Sequence, residues 1–362
     1  MQMQPDLIAD ITGQPEAYRD LVQSGPSRWD EALKAMPDGW VGPSRVVLTG
    51  MGSSYFASLG VLPAWNRWGL RTSVELSSEL LHHGEGRLQA GDLLVAVSQS
   101  GESAEVVALL RQLEGRGVHV IGVTNRAEST LARLTPVSLV MDVAPDRTVA
   151  VKSHGASLLT LLYLGLRLSG RGLDEWHTGA DQAISALERG MAHGETWRNL
   201  GRSLLEQAPG RRPAISVLAR GPLMAAAREG ALLFNEVSKL PAWAEDGGEF
   251  RHGVIEVGEP GLVAVVLVSG DHTAELNLNL IAELLRTSSL VLACVPEGLG
   301  QQVPPPDGAG LLHVLKIPAV SGDFAAVAQV LPLQWLSLGL AEGRGLTPGL
   351  FRATPSVIRS ER

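Results

Sequence analysis

Two short stretches of this chain concentrate groups able to hold an anion. Met51-Gly52-Ser53-Ser54 follows one apolar run, and Ser98-Gln99-Ser100-Gly101-Glu102-Ser103 follows the next. A phosphate needs several N–H and O–H donors converging on one point, and a helix N-terminus adds unpaired N–H groups and a favourable dipole. Here glycine permits close backbone approach, five serines bring hydroxyls and Gln99 brings an amide. Serine and glycine at strand ends also make ordinary helix caps and turns, so the residues alone leave both readings open. A third stretch places Glu229, Leu233 and Glu236 at i, i+4 and i+7, on one helical face, with Gly248, Glu249 and His252 further on. Moving a proton between two adjacent carbons needs one carboxylate placed over both, and histidine suits proton donation near neutral pH. A solvated helix face and a loop histidine would show the same spacing.

These residues sit in a repeat. Gly52 and Gly221 stand 169 positions apart, and so do Gly101 and Gly270. Each copy reads as an apolar strand, a glycine turn, a helix, and a second strand ending in Ser-Gly-acid or close to it. Repetition on this scale means two similar domains. Strands are expected at 45–50, 92–98, 119–125 and 138–143, then at 214–219, 262–269, 289–295 and 311–317. They are short, β-branched and apolar on both faces, the mark of buried parallel sheets. The fold expected is α/β: two tandem doubly wound, flavodoxin-like domains with central parallel sheets. The segments divide as an N-terminal helical part (1–40, punctuated by Gly25-Pro26-Ser27), a first domain (41–180), a helical linker (181–212) and a second domain with a C-terminal tail (213–362).

The loop SQSGES, the turn GMGSS and the stretch EGALLFNEVSKLPAWAEDGGEFRHG (Glu229–Gly253) resemble the sugar isomerase (SIS) domain family. The resemblance is to its tandem form, found in the isomerase half of glucosamine-fructose-6-phosphate aminotransferase and in stand-alone amino-sugar-phosphate deaminase/isomerases and fructosamine deglycases. It runs from about Arg45 to Arg362. It implies that Met51, Gly52, Ser53, Ser54, Ser98, Gln99, Ser100 and Ser103 bind a sugar phosphate. It makes Glu236 the base that moves the C1/C2 proton and His252 the acid/base for ring opening, with Glu249 in the same turn. The segment TVAVKS (Thr148–Ser153) resembles one that lends groups near the sugar, so Ala150 and Lys152 join the binding set, although the usual Thr-Lys pair is a lone Lys152 here. Glu79 and His82 fall in a segment that approaches the sugar. In the family the histidine comes from a neighbouring subunit, which implies a homodimer with a shared site.

Three departures bear on mechanism. The lysine of the EGALK pattern is Leu233, which can neither donate nor balance a carboxylate. The tail FRATPSVIRSE (Phe351–Glu361) puts Ser356 where the family pattern has a lysine, and serine forms no Schiff base. No glutaminase segment with a catalytic cysteine is expected. An enzyme of simpler chemistry and a non-catalytic sugar-phosphate sensor therefore both remain as readings. Another lysine, such as Lys152 or Lys239, could compensate for Ser356.

Bulk properties exclude other classes. The net charge of −8, with 45% hydrophobic and 19% charged residues, argues against nucleic acid and membrane surfaces as partners. Residues 1–40 do not suit a helix-turn-helix. No basic leader and no apolar run of roughly 18–20 residues stands out, so a cytoplasmic protein is expected. Cys294 is the single cysteine and sits in an apolar context. His82-His83 lacks partners at ligand spacing, so no metal is expected. GMGSSYF departs from GxGxxG, and no cofactor is expected. Five tryptophans, Trp65, Trp68, Trp197, Trp243 and Trp335, are expected to pack.

Overall fold

The computed structural model describes residues 6–36, 45–208, 213–320, 322–353 and 357–360. The chain forms two compact units. One comprises Glu16–Asp146, Ala150–Asp181 and Phe351–Arg362; the other comprises Met1–Pro15, Arg147–Val149 and Gln182–Leu350. The helices between the two sheets are thus shared out rather than standing apart as a linker, and the C-terminal residues group with the first sheet.

The first unit is built on β1 (Val46–Gly50), β2 (Thr72–Leu76), β3 (Leu93–Val97), β4 (His119–Thr124) and β5 (Val137–Val140). They pair in parallel in the order β2-β1-β3-β4-β5. Every residue of β1 and β3 is buried, as a sheet covered on both faces requires. The helix Ala104–Leu113 lays Val106, Leu109, Leu110 and Leu113 on one side of it. On the other side the helix Lys152–Leu168 is buried almost throughout and takes the Trp65 indole N–H on the Leu161 carbonyl at 3.1 Å.

The helix Gln14–Leu33 runs unbroken through Pro26, where the sequence suggested a break. A proline inside a helix costs about 3 kcal/mol. Here the continuous helix buries Tyr18, Leu21 and Trp29, whose indole also donates to the Val140 carbonyl at 2.9 Å. Gly25 leaves the room the Trp29 ring occupies, since a Cβ there would come within 2.7 Å of it.

The second unit repeats the plan with β6 (Ala214–Ala219), β7 (Ala242–Asp246), β8 (Leu262–Leu267), β9 (Leu290–Pro296) and β10 (Leu311–Ile317). The order β10-β9-β8-β6-β7 is the same order read from the other edge, again all parallel. Both sheets have five strands where the sequence showed four. The extra ones, β2 and β7, are edge strands of intermediate burial, and TSVEL and AWAED carry no continuous apolar run. Trp65, Trp68, Trp197 and Trp335 are buried and Trp243 packs partly buried against the second core, so all five are packing residues.

One helical stretch, Gly322–Gly343, is long and apolar enough to cross a bilayer, with a mean hydropathy of 1.5, which corrects the reading that none is. Its apolar 18-residue window is wholly buried, so its apolarity goes into the core. It crosses the helix Gly194–Gln207 closely. A Cβ on Gly339 would lie 1.9 Å from the Arg198 carbonyl oxygen, and one on Gly201 would lie 2.4 Å from that of Leu336. Backbone cannot yield as a side chain can. Gly339→Ala should therefore destabilise the protein by about 2–4 kcal/mol, while Gly172→Ala, which meets nothing within 4 Å, should stay within about 0.5 kcal/mol. Urea unfolding of the two variants checks this.

Candidate functional site

In the first sheet the strand order reverses between β1 and β3. The turns leaving two such neighbours diverge and open the crevice in which open α/β sheets bind ligands. The turn after β1 is Met51-Gly52, and the helix Ser53–Arg67 begins at Ser53. Gly52 has φ +52° and ψ −131°, a conformation glycine adopts readily, and it leaves the first N–H groups of that helix at the crevice.

The turn after β3 is a wound loop. The Gly101 N–H donates to the Ser98 carbonyl at 3.0 Å and to Ser98 Oγ at 3.1 Å, and the hydroxyls of Ser98 and Ser103 pair at 3.0 Å. The Glu102 N–H donates to Ser100 Oγ at 3.2 Å. Gln99 fixes the loop through its carbonyl, which accepts from Asn125 N at 3.0 Å. Gly101 is required: its φ is +66°, and a Cβ would sit 2.2 Å from Ser129 Oγ. Glu102 turns away from this cluster. Its carboxylate accepts from the Thr130 N–H and hydroxyl, both at 2.9 Å, and the backbone bond above all holds it below the usual carboxylate range. It braces the loop against the helix Thr130–Leu134.

A third segment of the same unit completes this part. Asp146 caps the helix Lys152–Leu168, accepting from Lys152 N at 2.8 Å, Ser153 N at 3.2 Å and Ser153 Oγ at 2.5 Å. The buried Lys152 ammonium lies 3.9 Å from the same carboxylate, and Ala150 is half-buried just before it. His154, one turn in, has its Nδ1 3.4 Å from the Ser53 carbonyl and so ties this helix to the turn after β1. Burial pushes its pKa down to about 4, so the ring is neutral and Nδ1–H is the donor. Neither Asp146 nor His154 was assigned from sequence; a lone histidine inside KSHGAS gives no spacing signal. The tail reaches the same place, since Ala104 N donates to the Ile358 carbonyl at 3.1 Å. Ser356 lies outside the described residues.

In the second unit the helix Met224–Leu233 does not simply continue. Phe234–Ser238 winds as a π-turn, ending at Lys239 with φ +56°. Single π-turns inside helices gather at functional sites. Glu236 is on this turn and half-buried, whereas Glu229 and Leu233 are fully buried. Burial pushes the Glu236 carboxyl up to about 7, with the Lys239 ammonium pulling the other way. The Asn235 side chain pins the turn to the start of β7, donating to the Ala242 carbonyl at 2.9 Å and accepting from its N–H at 3.0 Å.

Glu249 and His252 follow the other end of β7. Asp246 caps the helix Gly247–Phe250, accepting from Gly248 N at 2.7 Å and Glu249 N at 3.3 Å, and His252 N donates to the Glu249 carbonyl at 2.8 Å. Both side chains are exposed. The helix after β2, Ser77–His83, presents Glu79 and His82 exposed in the matching positions. Four residue rises of about 3.3 Å separate the ends of β7, about 13 Å. Glu236 and His252 are therefore not brought together within this unit.

The turn after β8 is the counterpart of the Ser98 loop, with a different content. Ser269 and Thr273 hydroxyls pair at 2.9 Å, but Asp271 Oδ1 accepts from both, each at 2.7 Å, and from Thr273 N at 2.8 Å. Its own carboxylate takes the donors. Among the described residues no group of three His, Cys, Asp or Glu side chains could hold a metal.

Two parallel sheets of flavodoxin order, each with a Gly/Ser turn at its switch point, define the class of fold. The SIS domain model matches residues 42–166 and 211–294, more than half of the chain, and the chain belongs to the SIS domain family. A glutamine–fructose-6-phosphate aminotransferase (isomerizing) from Pyrobaculum aerophilum is 30% identical over 360 residues, covering 98% of this chain and 57% of that protein. The chain thus spans about half the length of the curated relatives it matches. Among solved structures, the C-terminal domain of glucosamine-fructose-6-phosphate aminotransferase from Francisella tularensis aligns with a TM-score of 0.78 at 20% identity, over 95% of this chain and 98% of that one. Glucosamine-6-phosphate deaminase from Thermotoga maritima aligns with a TM-score of 0.75 at 20% identity, over 97% and 99%. These two likenesses show the fold.

The raised Glu236 pKa has a consequence for stability. The folded protein holds the proton more tightly than the unfolded chain, whose glutamate titrates near 4.5. The contribution of Glu236 to stability is therefore lost as pH rises from about 4.5 to about 7 and is level above that. Glu236→Gln removes the loss. Its stability relative to the parent should be unchanged below pH 4.5 and higher by roughly 3 kcal/mol above pH 7. Denaturant unfolding at a series of pH values checks the crossover.

Proposed function

We propose that this chain is a phosphosugar isomerase or deaminase that acts on an amino-sugar or fructosamine phosphate by moving a proton between C1 and C2. The observation that carries the reading is Glu236, a half-buried carboxyl on a π-turn, held near neutral pH by burial. A base that must take a proton from one carbon and return it to the next works best with its pKa near the working pH. The Ser98–Ser103 loop and the turn at Met51–Ser54 are assigned the phosphate, with Ala150 and Lys152 beside them. His252 opens the ring.

The length of β7 supports a dimer in this reading. Glu236 and His252 stand at its opposite ends, so one substrate meets both only when a second copy of the chain supplies one of them. The names of the relatives, an aminotransferase of fructose 6-phosphate and a deaminase of glucosamine 6-phosphate, support the substrate class. With Leu233 and Ser356 in place of lysines, no Schiff base forms at those positions.

The test is incubation of the purified protein with hexose, hexosamine and fructosamine 6-phosphates, following ammonia release and aldose–ketose exchange. Turnover of at least one substrate is expected, with Glu236→Gln lowering kcat at least 100-fold and leaving KM within about threefold. Saturable binding without turnover, equal in parent and variant, would replace the enzyme by a phosphosugar sensor.

A further inference from the structure

The π-turn that carries Glu236 closes on a residue whose identity is unusual for its backbone. Lys239 sits at φ +56° and ψ 34°, the left-handed conformation that L side chains disfavour and that glycine or asparagine ordinarily fills at a helix end. Non-glycine residues held there cluster where the side chain is needed. The Lys239 ammonium folds back over the turn and donates to the carbonyl oxygen of Glu236 itself. Asn235 on one side and Arg344 on the other fix the backbone, Arg344 Nη1 donating to the carbonyls of Ser238 at 2.7 Å and Lys239 at 3.0 Å. Three residues before Glu236 stands Leu233, buried and unable to carry charge.

The other charged groups on the elements packed against this turn have their own places. Glu342 is held by Arg198 and Arg202, and Arg344 by the carbonyls just named. Arg228 and the buried Glu229 lie on the preceding helix, and Glu245 and Asp246 at the far end of β7.

We propose that Lys239 is a positioning residue for Glu236: it supplies, from three residues after the carboxylate, the positive charge that position 233 lacks, and the strained backbone is kept because it returns the ammonium over the turn. The proposal rests on the role given to Glu236 above. Its consequence is that the carboxylate form of Glu236 is stabilised without a lysine on the helix face.

The experiment replaces Lys239 by Gly and by Asn, both suited to a left-handed backbone and both uncharged, and by Arg. The Glu236 carboxyl is titrated by 13C NMR in glutamate-labelled protein, assigned by its loss in Glu236→Gln. The midpoint should rise by about half a pH unit or more in Lys239→Gly and Lys239→Asn and return toward the parent value in Lys239→Arg. Folding should be unharmed in the glycine variant, because the strain is relieved. An unchanged midpoint in either folded uncharged variant overturns the proposal. The titration needs no turnover, so its outcome is separate from that of the substrate panel. Where turnover is present, the acid limb of the pH–rate profile should move with the midpoint.

Discussion

A parallel sheet buried on both faces leaves polar chemistry nowhere to go except past its strand ends. Here β1, β3, β6 and β8 are apolar and covered along nearly their whole length, and the polar groups gather in the turns that leave them. The strand order then selects among those turns. Only between β1 and β3, and between β6 and β8, do neighbouring connections part in opposite directions. Sheet burial and strand order together place Met51–Ser54 beside Ser98–Ser103.

Precision in these turns comes from bonds that point away from any ligand. Glu102 grips the next helix, Asp146 caps the one after, and His154 reaches back to the first turn. Each ties a turn to an element that is itself locked in the core, which is how a loop acquires the rigidity of a scaffold. In the second unit the same task falls to Asn235 and Arg344 around the π-turn, and to Asp246 around the turn that carries His252.

How much of this was legible in the sequence follows from what each feature leaves behind. Six strands, β1, β3, β4, β6, β8 and β9, announced themselves because an inner strand covered on both faces is apolar nearly throughout, and the edge strands β5 and β10 did so through the runs VSLV and LLHVLKI. β2 and β7 did not, because an edge strand needs only a few buried contacts and TSVEL shows no period. The Ser/Gly loops were visible as donor-rich runs, yet the residues that hold them were not, since Asp146 caps its helix from six positions upstream in an irregular loop and His154 reaches Ser53 across 101 positions from inside a helix. The break expected at Gly25-Pro26-Ser27 failed because local cost was outweighed by the burial of Trp29. The π-turn is beyond sequence reading altogether: one extra residue in a helical turn changes no residue type.

The Asp271 loop gives the duplication a different meaning from simple doubling. Its hydroxyls, its turn and its place at a switch point match those of the Ser98 loop, but its donors are already satisfied by a carboxylate from the same chain. An internal anion is always present at full occupancy and pays no translational entropy, so a dissolved phosphate competes with it at a large disadvantage. On the proposed function the two halves share an architecture while differing in valence: the Ser98 loop is the receptor, the Asp271 loop carries its own anion, and a twofold scaffold has the stoichiometry of one.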